Sequence, residues 1–249
     1  MSEQNKFQKC VKCNSKVETL FCSTCGHPQK LKRINSQFIL SEIGSVFNFQ
    51  KGILFTIREL LIRPGASVRK YIHEDRKLLV KPISFIILCS LAYSVLQRYL
   101  QFEDGYMNYS GFDWGGSAIS FIVNWISNNY GFANVLMAFF MALWIKLFFR
   151  KYDYNYFEIL ILLYFVLGIQ MLMGAIFGIA EHFSGVENLL DNCILVAVLF
   201  VCWGIARFFD GRKVLNYFKA GVCYMLGIFS FNFSAVAFGA LLDFVFNLF

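Results

Sequence analysis

Proline is nearly absent from this chain, with three in 249 residues. Helices can therefore run long without the kinks and lost hydrogen bonds that proline brings. Charge is scarce too: 16% of residues are charged against 57% hydrophobic, with a mean hydropathy of +0.54. A soluble domain of this length cannot hide that much apolar surface, and several apolar runs reach transmembrane length. Recognised catalytic constellations are missing as well. There is no Ser/His/Asp arrangement, no phosphate-cradling glycine loop and no His-Glu-x-x-His, so an enzyme is not expected. The start, Met-Ser-Glu-Gln-Asn, is polar and leads into cysteines, so no cleavable signal peptide is expected and the first span should act as its own insertion signal.

Basic residues are absent from particular places. The stretch 101–129 carries Glu103, Asp104 and Asp113 without a lysine or arginine, and Glu181, Glu187 and Asp191 are likewise unaccompanied. By contrast, fifteen of the 23 lysines and arginines, from Lys6 to Lys81, precede the first long apolar run. The positive-inside rule then puts the N-terminus in the cytoplasm. That reducing compartment suits paired cysteines as metal ligands better than as disulfides.

What is present reads as three regions. Residues 1–33 hold a cysteine unit and a basic linker, 34–81 amphipathic interfacial helices, and 82–249 a transmembrane bundle. In the middle region Ile39, Ile43, Val46 and Phe47 fall at helical spacing, as do Ile53, Leu54, Ile57, Leu60 and Leu61, with Arg58 and Glu59 on other faces. Arg63-Pro64-Gly65 breaks that helix, and Val68, Tyr71 and Ile72 mark a third, with Arg69 and Lys70 outward. Spans are expected at about 82–96, extended by Arg98 to Leu100 near the far interface, and at about 131–149, 156–180 and 189–209, with a short interfacial helix around Ile119–Ile126. The tail, 221–249, reads as a tilted span, a span with an interfacial turn after Asn232 or Gly239, or a hairpin. The fold class is thus all-α integral membrane, with about five transmembrane helices behind a small zinc ribbon.

Cys10-x2-Cys13 and Cys22-x2-Cys25-Gly26 have the spacing of a pair of zinc knuckles. Each places two thiolates on one ion from a tight turn, and four sulfurs complete a tetrahedral shell. Zn²⁺ is the expected structural cofactor, with redox pairs or an iron–sulfur cluster as alternatives. His27 reads as a turn residue rather than a ligand, and His73 and His182 fall on opposite sides of the bilayer. Arg58, Arg63, Arg69, Lys70, Arg76 and Lys77, beside apolar helix faces, are candidates to hold anionic lipid headgroups or a partner. An arginine at the proline turn, Arg63, could lock these helices to the bundle by bonding exposed carbonyls. Asn134, Gln170 and Asn232 are polar at membrane depth and expected mainly to join helices; Asp243 is ambiguous. Cys89, Cys193, Cys202 and Cys223 read as small core residues.

An ordered string of motifs resembles a family. It runs from the two cysteine pairs, the second as Phe21-Cys-x-x-Cys-Gly, through Arg33-Ile34 and Lys51-Gly52-x-Leu-Phe-Thr-Ile-Arg-Glu-Leu60-Leu61 to Arg63-Pro64-Gly65. Arg69-Lys70-Tyr71-Ile72, Arg76 and Pro82-x-x-Phe complete it. Over about residues 10–90 the chain resembles bacterial polytopic membrane proteins, frequent in Bacteroidetes, with an N-terminal four-cysteine zinc ribbon and no established activity. Family members usually carry glutamine where this chain has His27. The resemblance implies architecture and a place in the bacterial inner membrane.

The leading expectation is a non-catalytic inner-membrane protein whose cytoplasmic ribbon serves as adaptor or sensor for a protein partner. A channel or transporter, such as an oligomeric pore in stress or phage defence, is the alternative. Nucleic acid is not an expected partner, because few aromatic residues interleave the ribbon's lysines.

Overall fold

The computed structural model describes residues 8–17, 20–28, 52–100, 117–184 and 189–246. The helix expected around Ile39–Phe47 and the linker 30–33 lie outside the described residues. Among the described residues, a two-stranded ribbon, β1 (Gln8–Lys9) and β2 (Lys16–Val17), precedes eight α-helices. These are α1 (Ile53–Ile62), α2 (Pro64–His73), α3 (Pro82–Leu100), α4 (Ala118–Asn128), α5 (Tyr130–Phe148), α6 (Tyr156–Ser184), α7 (Leu189–Phe209) and α8 (Val214–Phe246).

Local chemistry explains the boundaries. Arg63, next to Pro64, leaves the helical region at φ −141°, ψ 56°, which ends α1, and Pro64 starts α2 at its first position. Asp153 turns the chain in the left-handed region before α6. Asn155 and Glu158 then form a reciprocal capping box: Asn155 N–H donates to Glu158 Oε2 at 2.8 Å, and Glu158 N–H donates to Asn155 Oδ1 at 2.9 Å. Asn216 joins α8 to the end of α7, its Nδ2 donating to the Asp210 carbonyl and to Tyr152 Oη, each at 2.9 Å.

Four helices, α3, α5, α6 and α8, are long and apolar enough to cross a membrane, and α7 is apolar from Leu195 to Phe209. The all-α membrane fold expected from the sequence is the one observed. The tail is one continuous helix from Val214 to Phe246, without the hairpin its length also allowed. At the centre stands α6, buried on all sides from Glu158 to Met171. Against it pack α1, α2, α3, α5 and α7, while α8 lies outside on α4, α5 and α7. Phe218, Met225, Phe229 and Phe233 leave an apolar face of α8 uncovered.

The shortest helices are docked on the bundle as well as being amphipathic. α2 buries Val68, Tyr71 and Ile72 against α6 and α7, with the Tyr71 ring edge-on to Phe165 at 5.5 Å. Gly65 makes this possible, because a Cβ there would overlap the backbone of Arg207 and Phe208. α4 sits at the opposite end of the bundle, where Gly239 of α8 packs on Ile119.

The end of α2, the α5–α6 turn and the end of α7 come together through aromatic rings. His73 packs on Tyr154, Tyr154 on Phe208, and Phe149 stacks on Phe209 with centroids 4.2 Å apart. Lys219 lies over Phe149 and Lys213 over Tyr152, each 5.9 Å from the centroid. Of the lysines and arginines among residues 52–246, Arg98 in the last turn of α3 is the one at the other end.

Candidate metal centre and basic cleft

The ribbon is one turn built twice. Cys10 N–H donates to the Ser15 carbonyl at 2.9 Å and Cys22 N–H to the His27 carbonyl at 2.8 Å. Asn14 N–H and Gly26 N–H return to the carbonyls of Cys10 and Cys22. Asn14 (φ 62°) and Gly26 (φ 68°) both occupy the left-handed region, which Asn and Gly tolerate best. The flanking pairs Lys9–Lys16 and Phe21–Pro28 repeat the pattern twelve residues apart.

This repetition brings four sulfurs to one point. The Sγ atoms of Cys10, Cys13, Cys22 and Cys25 all lie within 4.8 Å of one another, with Cys10–Cys25 at 3.6 Å and Cys13–Cys22 at 3.5 Å. A disulfide needs about 2.0 Å, so these are free thiols. A tetrahedral ion about 2.3 Å from each sulfur needs edges of about 3.8 Å. The four cysteines could therefore hold a metal ion. His27 contributes its backbone carbonyl to the turn and is not among the clustered ligands.

The thiols are electrostatically unequal. The Ser15 hydroxyl, 2.8 Å from Cys13 Sγ and 3.1 Å from Cys22 Sγ, lowers both, taking Cys22 to about 5. At Cys25 the His27 backbone bond pulls down, but desolvation and the neighbouring thiols together hold it up at about 12. An ion pair ties the ribbon to the bundle: Lys12 Nζ lies 3.5 Å from Asp75 Oδ2 in the α2–α3 loop.

The six cations singled out from the sequence do not form one group. Arg58, Lys70 and Lys77 are exposed and Arg76 is half-buried, while Arg63 and Arg69 line a shared cleft of about 550 Å³. Arg207 and Arg212 join them there, with Trp203 and Asp210. Arg207 and Arg212 are not among the cations singled out from the sequence. The available signal was Trp203 and Arg207, four residues apart and so on one face of a helix. The lock between α2 and the bundle is made by Arg69, not Arg63: its guanidinium donates to the carbonyls of Arg207 and Phe208. Those carbonyls end α7 and have no helical partner, so a cation there satisfies both hydrogen bonding and the helix dipole.

The intramembrane polar residues are dispersed over three helices. Gln170 is buried and donates through Nε2 to Tyr224 Oη at 3.0 Å, joining α6 to α8. Asn134 is buried on α5, and Asn232 donates to the Ile228 carbonyl on its own helix. The side-chain oxygens of Asn134, Gln170, Ser90 and Ser94 are buried without a partner among the described residues. Asp243 has a defined role: its carboxylate accepts the Ala118 N–H at 2.6 Å, capping α4 from another helix. Cys89 and Cys223 are buried and Cys202 is half-buried; the Cys193 side chain lies outside the described residues.

With that geometry in hand, the family comparison is specific about place. Residues 50–94 match a family described as a protein of unknown function (DUF3667). The matched stretch is less than a fifth of the chain and covers α1, α2 with its Arg63-Pro64-Gly65 turn, and two-thirds of α3; the four cysteines lie before it. No curated protein and no solved structure matches the chain.

Proposed function

We propose that this is a non-catalytic inner-membrane protein whose N-terminal ribbon folds on Zn²⁺ and serves as an adaptor or sensor at the cytoplasmic face. The observation that carries it is the four-sulfur cluster. An all-thiolate set with tetrahedral edges suits Zn²⁺, and four ligands leave no open position for substrate. Zn²⁺ would be held by Cys10, Cys13, Cys22 and Cys25 and would supply folding free energy rather than reaction chemistry. The Lys12–Asp75 contact gives the ribbon a route to the membrane bundle. The cation-rich end of the bundle supports placing the ribbon in the cytoplasm.

Elemental analysis of the purified full chain tests this reading. About one zinc per chain is expected, lost in Cys10→Ser. Metal retained in that variant, or an iron signature in the wild type, overturns the assignment. For the adaptor role, a partner that binds the zinc-loaded chain should fail to bind a Cys22→Ser/Cys25→Ser chain that still inserts.

A second reading, a channel or transporter, draws on the buried oxygens of Asn134 and Gln170, which have no partner among the described residues. It requires ion or solute flux in vesicles that Asn134→Leu, Gln170→Leu and Asn232→Leu reduce. Absence of flux in the wild type removes it.

A further inference from the structure

Four arginines and one carboxylate, Asp210, line the basic cleft, so positive charge prevails there. Arg63 comes from the turn before α2, Arg69 from α2, Arg207 from the last turn of α7, and Arg212 from the turn after it. Asp210, the acidic residue of the lining, is already engaged: Lys213 Nζ is 3.2 Å away and the Arg212 N–H donates to it at 3.1 Å. Arg69 is spent on the α7 carbonyls. Among the described residues, no ion pair holds Arg63, Arg207 or Arg212. Three exposed guanidiniums around one cleft give it a positive potential that draws in anions.

Two further features define that anion. Pro64, Gly65 and Ala66 line the same cleft, so α2 begins there and brings the positive end of its dipole, with the first-turn N–H groups of Gly65 and Ala66, since Pro64 has none. Guanidinium forks and helix N-termini together are the usual recognition elements for phosphate oxygens. Beyond the cations the surface turns apolar. Val196 and Leu199 are exposed and, with Trp203 and Arg207, fall on one face of α7 by their spacing, so the track runs from apolar side chains through Trp203 to a guanidinium. Ile62, also exposed, forms the other wall. Tryptophan followed by arginine at the end of a spanning helix is the order met on leaving hydrocarbon for headgroups.

We propose that this cleft binds a phosphate group, and that its ligand is a phospholipid-type amphiphile whose chains lie along Val196 and Leu199. The phosphate sits between Arg63, Arg207 and Arg212 at the first turn of α2, and Trp203 meets the glycerol region. A volume of about 550 Å³ accommodates a headgroup and the start of its chains. The site is independent of the ribbon and of its metal.

The test uses the full chain in neutral detergent and three probes: dioctanoyl phosphatidic acid, dioctanoylglycerol with the same tails, and inorganic phosphate. Phosphatidic acid should raise the melting temperature, with little effect from dioctanoylglycerol or phosphate alone. Arg63→Gln/Arg207→Gln should weaken the phosphatidic acid response by more than about tenfold. Arg212→Gln, in an exposed turn, provides a variant whose folding is not at stake. Arg58→Gln/Lys77→Gln, outside the cleft, should respond like the wild type. A wild-type response to inorganic phosphate alone that the cleft variants abolish would keep the phosphate site and overturn its lipid occupant. No response to any probe, an equal response to dioctanoylglycerol, or an undiminished response in both cleft variants overturns the proposal.

Discussion

Single residues decide how this molecule is held together. Gly65 is the sharpest case, since any side chain would meet the backbone of α7. Gly65→Ala should therefore push α2 away and cost about 1–3 kcal/mol, as overpacking does, measured as a lower melting temperature in detergent. Gly26 differs: nothing lies within 4 Å of where its Cβ would stand, and only its positive φ demands glycine. Asparagine, which the first knuckle uses at the equivalent Asn14, should be tolerated there with metal content unchanged. Asp210 sets an acid limit. The Arg212 N–H first, and then Lys213, hold its carboxyl below the usual aspartate value. A depressed folded-state pKa gives stability that is present above the ordinary value near 4 and lost as pH falls through the folded one. Asp210→Asn should therefore show a shallower loss of melting temperature on acidification from pH 5 to pH 3 than the wild type.

At the scale of elements, hydropathy and turn chemistry made the long helices readable. α3, α5, α6 and α7 begin and end close to where apolar runs and charges place them. α8 starts earlier than its apolar run, because Asn216 and Lys219, polar enough to read as loop, lie inside the helix. Docking of α2 could not be read: its spacing says only that it is amphipathic, and what it docks on depends on contacts 138 residues away, such as Arg69 on the Arg207 carbonyl. The same distance hid half of the cleft, whose Arg207 and Arg212 become neighbours of Arg63 only through that docking. The four sulfurs, by contrast, are local in sequence, and spacing alone assembled them. Helix pairing yields its own expectation. Removing the Tyr224 hydroxyl strips Gln170 of its α8 partner, so Tyr224→Phe should destabilise by about 0.6 kcal/mol. A double-mutant cycle with Gln170→Leu should show coupling of that size.

For the whole molecule, the governing feature is polarity of charge. The α1–α2 unit, the α5–α6 turn and the α7–α8 turn all deliver cations to one end, and among the described residues of the helical part Arg98 is the one lysine or arginine at the other. If that end faces the cytoplasm, a cysteine placed at Asn5 should resist a membrane-impermeant reagent in intact cells, while one placed at Ser117, beside α4, should react. The reverse labelling pattern would reject both the topology and the cytoplasmic ribbon.

The enclosure of α6 has a consequence for how the chain is made. Its first four turns end up walled by helices that come before it in sequence and by α7, which comes after. During synthesis it must enter the bilayer before the last of those neighbours exists, so the face reserved for α7 is bathed in lipid until α7 emerges from the ribosome. A mean hydropathy of 2.4, the highest of the spanning helices, equips it for that exposed interval. Chains truncated after Ser184 should accordingly insert yet stay unsealed, and a pulse-chase experiment should find them cleared faster than chains ending at Phe209.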